Sequence, residues 1–190
     1  MKTAFRRTAL AWSVALAMIP AHVRAQDEPP LKPPYEVTLD IDHDGRPDRA
    51  VLVEDPATGK GGLYIYLGAG TEKIDPTRKP TIVKKLLTTG RILRFESDSK
   101  GSLIVMSGCG GCSNDTATTL TIVYRAGMFL VGGVSYDWDT RTGAGSCRFD
   151  FLTGKGIRSR ALAKGKPFTA RSKPINLADW SDDKRPKACR

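Results

Sequence analysis

The feature that most constrains the fold of this chain is an acidic stretch of nine residues, 40–48. It reads D-I-D-H-D-G-R-P-D, so acids stand at relative positions 1, 3, 5 and 9, and glycine stands at position 6. Calcium binds six to eight oxygen ligands, and such a loop offers four carboxylates and the main-chain carbonyl of position 7. Four like charges this close repel one another unless a cation neutralises them. The predicted calcium ligands are Asp40, Asp42, Asp44, Arg46 through its carbonyl, and Asp48; the alternative is a metal-free turn rich in Asp and Gly.

The residues that flank the acidic loop have the pattern of strands. Residues 35–39 alternate between apolar and polar, and residues 50–54 form a short apolar run that contains β-branched side chains. Position 12 of the loop is Val51, where an EF-hand places a bidentate Glu. We therefore expect the loop to join two strands, and we exclude an EF-hand.

With these flanks, the loop resembles the FG-GAP or VCBS unit of integrin-α-type β-propellers. The pattern of that unit is D-x-D-x-D-G-x-x-D followed by an apolar strand, and the resemblance covers residues 37–70, because G-L-Y-I-Y-L-G at 62–68 matches the next strand. The resemblance implies that Asp40, Asp42, Asp44 and Asp48 are structural calcium ligands. Propellers repeat the motif in every blade, whereas this chain carries it once. A unit like one blade, or a sandwich, is therefore expected.

The remainder of the chain predicts an all-β domain of antiparallel hairpins and meanders with little helix. Turn residues recur every eight to fifteen residues over 35–158. Short helical turns are conceivable only at 83–87 and 176–180, where periodicity is weak. The predicted strands are 35–41, 49–54, 63–67, 81–87, 92–96, 102–107, 117–124, 128–136 and 146–152.

The four cysteines favour two disulfides. An even number of cysteines is typical of proteins from oxidising compartments, and sequence alone leaves all three pairings open. A C-G-G-C redox pair and a four-cysteine zinc site are the alternatives; the first lacks a thioredoxin-like βαβ context and the second lacks a second close pair. The disulfide cysteines are Cys109, Cys112, Cys147 and Cys189.

The N-terminal segment predicts export. Residues 1–25 combine a basic start, a short apolar run and a V-R-A ending, which together are typical of a signal peptide cleaved near Ala25. Residues 26–34 form a proline-rich linker. The expected location is the periplasm or the outside of the cell.

Basic residues are concentrated towards the C-terminus. Residues 155–190 hold eleven Lys or Arg against three Asp. We expect the segment 159–190 to be a basic tail, which either favours an anionic envelope surface or is a solvated, partly disordered segment. Phe168 and Trp180 are too few and too far apart for a nucleic-acid stacking platform, so nucleic acid is not an expected partner.

The expected function is that of a non-enzymatic binding or envelope-associated module for an envelope polymer or protein. The only histidine after the signal segment is His43, inside the acidic loop, which argues against histidine-based catalysis. The ending F-L-T-G-K-G at 151–156 resembles that of uncharacterised exported bacterial proteins with one FG-GAP-like loop. A carboxylate-dependent envelope hydrolase is the alternative. Asp137 and Asp139 either bind a second cation or face outward before a turn.

Overall fold

The structure is a computed structural model that describes residues 35–55, 60–88, 90–109, 111–161 and 163–190. The predicted signal peptide and proline-rich linker lie outside the described residues. The rest of the chain consists mainly of antiparallel strands, which confirms the all-β prediction. No helix in the described residues is both long enough and apolar enough to cross a membrane.

The first four strands form an antiparallel meander in which each strand pairs with the next along the chain. Alternating residues of β2 and β3 point inward, and Leu52, Leu63 and Ile65 are fully buried. The register places Leu39 opposite Asp48, so the acidic loop is the connection of the first hairpin. The strands are β1 (Tyr35–Leu39), β2 (Asp48–Asp55), β3 (Lys60–Tyr66) and β4 (Ile82–Thr88).

The larger sheet has eight strands, and seven of them follow the order β11-β10-β9-β8-β7-β6-β5. The eighth strand, β12, pairs with the start of β8. The strands are β5 (Arg91–Ser97), β6 (Leu103–Gly108), β7 (Asn114–Arg125), β8 (Met128–Thr140), β9 (Gly143–Asp150), β10 (Lys155–Arg160), β11 (Lys166–Thr169) and β12 (Ile175–Asn176).

A β-bulge divides β8 into a first part that pairs with β12 and a second part that pairs with β9. Thr121 of β7 pairs with Gly133, whereas Ile122 pairs with Val131, so Gly132 is the extra residue. Before the bulge, β8 pairs with β12; after it, β8 pairs with β9. A side chain on Gly132 would press against Val123 at 3.2 Å, which explains a glycine at this position.

Both sheets contribute to one apolar core. Leu52 and Ile65 of the smaller sheet belong to the same buried cluster as Leu103, Ile122 and Val131 of the larger sheet. Each of these side chains is fully buried. Because burial of a Leu or Ile side chain contributes about 1.5–3 kcal/mol, this shared cluster is the main source of stability.

The C-terminal segment belongs to the fold. The predicted β domain ended at residue 158, yet β11 and β12 extend the larger sheet, and Leu177, Trp180 and Cys189 are buried in the core. The expectation of a solvated tail is therefore wrong for these residues. Three 3-10 helices, Leu177–Asp179, Asp182–Lys184 and Lys187–Cys189, follow β12.

The nine predicted strands correspond to β1 to β9, with boundaries that differ by up to four residues. The helical alternative at 83–87 is wrong, because this stretch lies within β4. The helical turn expected within 176–180 is present as the helix Leu177–Asp179. The sequence pattern did not predict strands β10, β11 and β12.

Two disulfides link the four cysteines. Cys109 pairs with Cys112 across a Cα–Cα distance of 5.8 Å, and Cys147 pairs with Cys189 across 5.3 Å. The prediction of two disulfides is therefore confirmed, and the pairing that sequence left open is defined. No free cysteine is left among the described residues, so the four-cysteine zinc site is wrong.

Candidate metal centre

The acidic loop brings three of its carboxylates to one point. Asp40, Asp42 and Asp48 each offer an oxygen atom, and these three atoms lie within 4.8 Å of one another. Hard cations such as Ca²⁺ prefer carboxylate and carbonyl oxygens, so this donor set has the chemistry of a calcium site. Asp40 and Asp42 are partly exposed, whereas Asp48 is fully buried. The cluster is therefore partly accessible to solvent.

The loop is wound around the carboxylate of Asp40. The main-chain N–H of Asp44 donates to Asp40 Oδ1 at 3.1 Å, and the N–H of Gly45 donates to Asp40 Oδ2 at 3.0 Å. His43 and Gly45 adopt positive φ values of 61° and 83°, which turn the chain sharply at two points. Glycine adopts this conformation without steric cost, which accounts for its place at position 6.

Asp48 fixes the loop to the meander. It is the first residue of β2 and is 0 % exposed. Its carboxylate accepts the N–H of Ile41 at 2.8 Å and the N–H of Gly68, after β3, at 2.6 Å. A buried carboxylate requires such donors, because burial without them is strongly unfavourable. Asp48 therefore joins the two ends of the loop to the β3–β4 connection.

Asp44 is placed differently from the other acids. Its carboxylate accepts the Arg46 main-chain N–H at 2.8 Å and the Arg46 Nε at 2.8 Å, and the two side chains form an ion pair. The hydrogen bond from the Arg46 side chain is the main reason why the pKa of Asp44 is lowered. The three-carboxylate cluster does not include Asp44. The ligand roles of Asp44 and of the Arg46 carbonyl therefore remain predictions.

Burial and repulsion between the acids of the cluster oppose the ionisation of all of these carboxylates at once. The pKa of Asp42 is raised, first by burial and then by repulsion from Asp48, Asp44 and Asp40, although a hydrogen bond from the Asp44 N–H partly offsets this. Repulsion of this kind disappears when a cation binds between the carboxylates. The charge distribution is thus one that a divalent ion would stabilise.

Two neighbouring turns support the acidic loop. Gly70 donates its N–H to the Pro47 carbonyl at 2.9 Å. Gly101, with φ of 75°, lies so close to the loop that a Cβ atom there would be 2.7 Å from His43 Cε1 and 2.9 Å from the Asp40 carbonyl oxygen. Asp98 builds this second turn by accepting the N–H of Ser102 at 2.8 Å.

These supporting residues were not predicted from the sequence. The signal that would have found the second turn is the D-S-K-G run at 98–101, which is typical of a tight turn between strands. Its contact with the acidic loop depends on how β5 and β6 pack beside β1, and no local pattern contains that information.

The first disulfide bridges the ends of a hairpin. Cys109 follows β6 and Cys112 precedes β7, and the Cys109 N–H donates to the Thr116 carbonyl at 3.2 Å. Gly111 donates its N–H to the Asp115 carboxylate at 3.1 Å. These contacts place the pair in the connection between β6 and β7, consistent with structural bridging.

The second pair of acids considered from the sequence lies in β8. Asp137 accepts a hydrogen bond from the Ser135 hydroxyl at 3.1 Å, and Asp139 is exposed opposite Asp115 of β7. Within the described ranges, Asp40, Asp42 and Asp48 form the only group of three potential ligand side chains close enough to hold one metal ion. A second cation at Asp137 and Asp139 therefore remains a prediction.

A groove of about 1110 Å³ lies on the larger sheet, and two acids line it. Asp98 accepts the N–H groups of Lys100 and Ser102, and Asp150 accepts those of Leu152 and Thr153. Each carboxylate thus stabilises its own turn. Burial raises the pKa of Asp98, but the hydrogen bonds from Ser102 and Lys100 outweigh it, so this pKa is lowered overall. A glycosidase needs one carboxylic acid that stays protonated, and the lowered pKa of Asp98 does not suit that role.

Comparison of the chain with protein families, with curated proteins and with solved structures finds no match.

Proposed function

We propose that this protein is an exported, non-enzymatic β-domain in which a calcium ion fixes the acidic loop. The convergence of Asp40, Asp42 and Asp48 within 4.8 Å is the observation that carries the proposal. The ion has a structural role, because the loop is anchored on both sides by backbone hydrogen bonds to Asp48 and has no hinged helix pair to open.

The D-x-D-x-D-G-x-x-D spacing and its position between two strands support a loop of the FG-GAP type. In this proposal Asp44 exchanges its ion pair with Arg46 for the metal, and the Arg46 carbonyl completes the ligand set. The β1–β4 meander supplies the strands that such a unit requires. The ligands that remain are water molecules, which calcium sites commonly retain.

Export to the periplasm or the cell surface is part of the same proposal. The two disulfides fit an oxidising compartment, and the predicted signal peptide provides the route. Free calcium outside the cytosol fills even weak sites, because extracellular modules have Kd values of about 10⁻⁴–10⁻³ M. The partner in this proposal is an anionic component of the envelope.

Thermal unfolding in calcium and in chelator tests the metal. We expect the melting temperature to rise with free calcium as mass action requires, by an amount that follows RT ln(1 + [Ca²⁺]/Kd). Asp42→Ala should abolish the rise, because it removes one of the three converging carboxylates. Asp75→Ala is the matched control, since Asp75 only accepts hydrogen bonds from Thr77 in a separate turn. Identical melting curves for the wild type with and without calcium would refute the proposal.

A further inference from the structure

A second cavity, of about 580 Å³, lies between β8, β10 and the end of the described chain. Its lining includes two aromatic rings, Tyr136 and Trp138, and three arginines, Arg158, Arg160 and Arg190. Among the described side chains that line it, none is a carboxylate. We call it the arginine–aromatic cavity. It draws its residues from strands on which Tyr136, Cys147 and Arg158 stand in one cross-strand row.

The Trp138 ring contacts Arg158 of the cavity, and the Tyr136 ring contacts Arg185, which does not line the cavity. Tyr136 and Trp138 stack with their centroids 5.7 Å apart. The guanidinium carbon of Arg158 lies 5.9 Å from the centre of the Trp138 ring, and that of Arg185 lies 4.3 Å from the centre of the Tyr136 ring. A guanidinium that contacts a ring through its face keeps terminal N–H groups that can donate to an oxyanion.

Arg158 carries an unsatisfied hydrogen-bond donor. Its Nε atom is buried and has no hydrogen-bond partner. A buried donor without an acceptor is unfavourable and uncommon in native proteins, and it needs an explanation. The buried Nε itself is closed to a ligand, so an anion in the cavity would accept from the terminal nitrogens of this guanidinium, whose residue lines the cavity.

Arg190 is positioned by neutral acceptors. Its Nε donates to the Arg185 carbonyl at 2.8 Å, and a second nitrogen donates to the Asp183 carbonyl. The carboxylate of Asp183 and the guanidinium of Arg190 also attract each other electrostatically, but Asp183 does not line the cavity. The neighbouring disulfide between Cys147 and Cys189 holds this end of the chain against β9. The positive charge of the cavity therefore comes from two elements, β10 and the C-terminal segment, and the disulfide links the second of them to β9.

We propose that the arginine–aromatic cavity binds a phosphomonoester on a body the size of a sugar. A phosphate group has three acceptor oxygens and close to two negative charges, so it can bind more than one guanidinium at once, whereas a carboxylate has two oxygens and one charge. A volume of about 580 Å³ is far larger than one phosphate requires and falls within the range of small-molecule sites. The stacked rings offer the apolar surface for the body of the ligand. This site is separate from the calcium loop and does not depend on it.

Isothermal titration calorimetry of the oxidised chain tests the site. The probes are glucose 6-phosphate, glucose, glucuronate and inorganic phosphate, each in calcium and in chelator. We expect glucose 6-phosphate to bind most tightly in both conditions, at least about tenfold more tightly than glucuronate, because charge-assisted hydrogen bonds to a dianion dominate. Equal binding of glucuronate and glucose 6-phosphate, or no binding of either, would overturn the proposal.

The source of the phosphate is distinguished by vesicles of phosphatidylcholine with and without phosphatidic acid. Binding to the phosphatidic acid vesicles in competition with glucose 6-phosphate assigns the site to a lipid headgroup. Binding of glucose 6-phosphate alone assigns it to a soluble or polymer-borne phosphosugar. Both results support a phosphomonoester site, and failure of both ligands contradicts it.

Variants of the cavity arginines test which residues bind glucose 6-phosphate. We expect Arg158→Gln and Arg160→Gln each to weaken glucose 6-phosphate binding by about tenfold or more, and Arg158→Lys to recover only part of the affinity, because lysine keeps the charge but lacks the fork. Arg160 is exposed, so its replacement tests the site without disturbing the core. Arg148→Gln is the matched control: Arg148 is an exposed arginine of β9 that lines the other groove. An equal loss in Arg148→Gln and Arg158→Gln would show non-specific charge attraction and would refute the site.

Discussion

The acidic loop and the arginine–aromatic cavity both concentrate charge of one sign, but the fold supports them differently. The loop takes its carboxylates from nine consecutive residues and stabilises them with main-chain N–H groups. The cavity takes its residues from positions between 136 and 190 and supports the guanidinium groups with aromatic faces and carbonyls. The first site is thus a local structure, whereas the second exists only after β8, β9 and β10 have paired.

The largest expected effect comes from removal of the second disulfide, which should affect the arginine–aromatic cavity but not the acidic loop. Replacement of Cys147 and Cys189 by alanine should lower the free energy of unfolding by about 4 kcal/mol, since the bond closes a long loop and constrains the unfolded chain. The sequence separation is 42 residues. Urea denaturation measures the loss. The same variant should lose binding of glucose 6-phosphate and retain its response to calcium.

The matched control for this variant is replacement of Cys109 and Cys112, which are three residues apart. The loop they close is short, so the expected loss is smaller, about 2 kcal/mol, with binding of glucose 6-phosphate unchanged. A double alanine variant at 147 and 189 that binds glucose 6-phosphate like the wild type would show that the cavity forms without its covalent link.

The next effect compares two acids within the loop. In chelator, Asp48→Ala should destabilise the protein by about 3 kcal/mol, because the buried N–H groups of Ile41 and Gly68 lose their acceptor. Asp44→Ala should destabilise the protein much less under the same conditions, since its ion pair with Arg46 is at the surface. Urea denaturation curves measure both values. Equal losses for the two variants would contradict the structural role given to Asp48.

The smallest effect concerns the support of the loop by its neighbour. Gly101→Ala should destabilise the protein by about 1–2 kcal/mol and weaken calcium binding, because it adds a Cβ atom next to His43 and Asp40 at a φ of 75°. Gly127→Ala is the control, since Gly127 has a φ of 76° and no atom within 4 Å of the added Cβ. It should show the backbone strain alone, with calcium affinity unchanged in a calorimetric titration. A Gly101→Ala variant that binds calcium as the wild type does would show that the turn at 98–101 does not shape the loop.

Strands β1 to β9 could be predicted because the sequence pattern that marks each of them is local. Residues of β2 and β3 alternate between core and surface, and the acidic loop between β1 and β2 is marked by its own spacing. By contrast, β10 reads K-G-I-R-S-R and exposes Ile157, so it has no apolar face that a pattern could reveal. Its place depends on pairing with β9, which is a property of the whole sheet.

The candidate sites show the same limit at the level of single residues. Spacing treats Asp44 and Asp48 as equivalent ligands, but burial and the N–H groups of Ile41 and Gly68 distinguish them. The basic character of the C-terminal segment was evident from composition. The contact of the Arg158 guanidinium with the Trp138 ring was not, because these residues are brought together by two registers, β8 with β9 and β9 with β10.

The bond between Cys147 and Cys189 also has a consequence for proteolysis. The connection between β10 and β11 exposes Ala163 and Lys164, and exposed connections are preferred sites of cleavage. A single cut there would release no fragment, because the pieces on either side stay joined through the sulfur atoms. A nicked molecule would migrate as two bands only after reduction, and until then its β11 and β12 strands would remain tethered beside the sheet they complete.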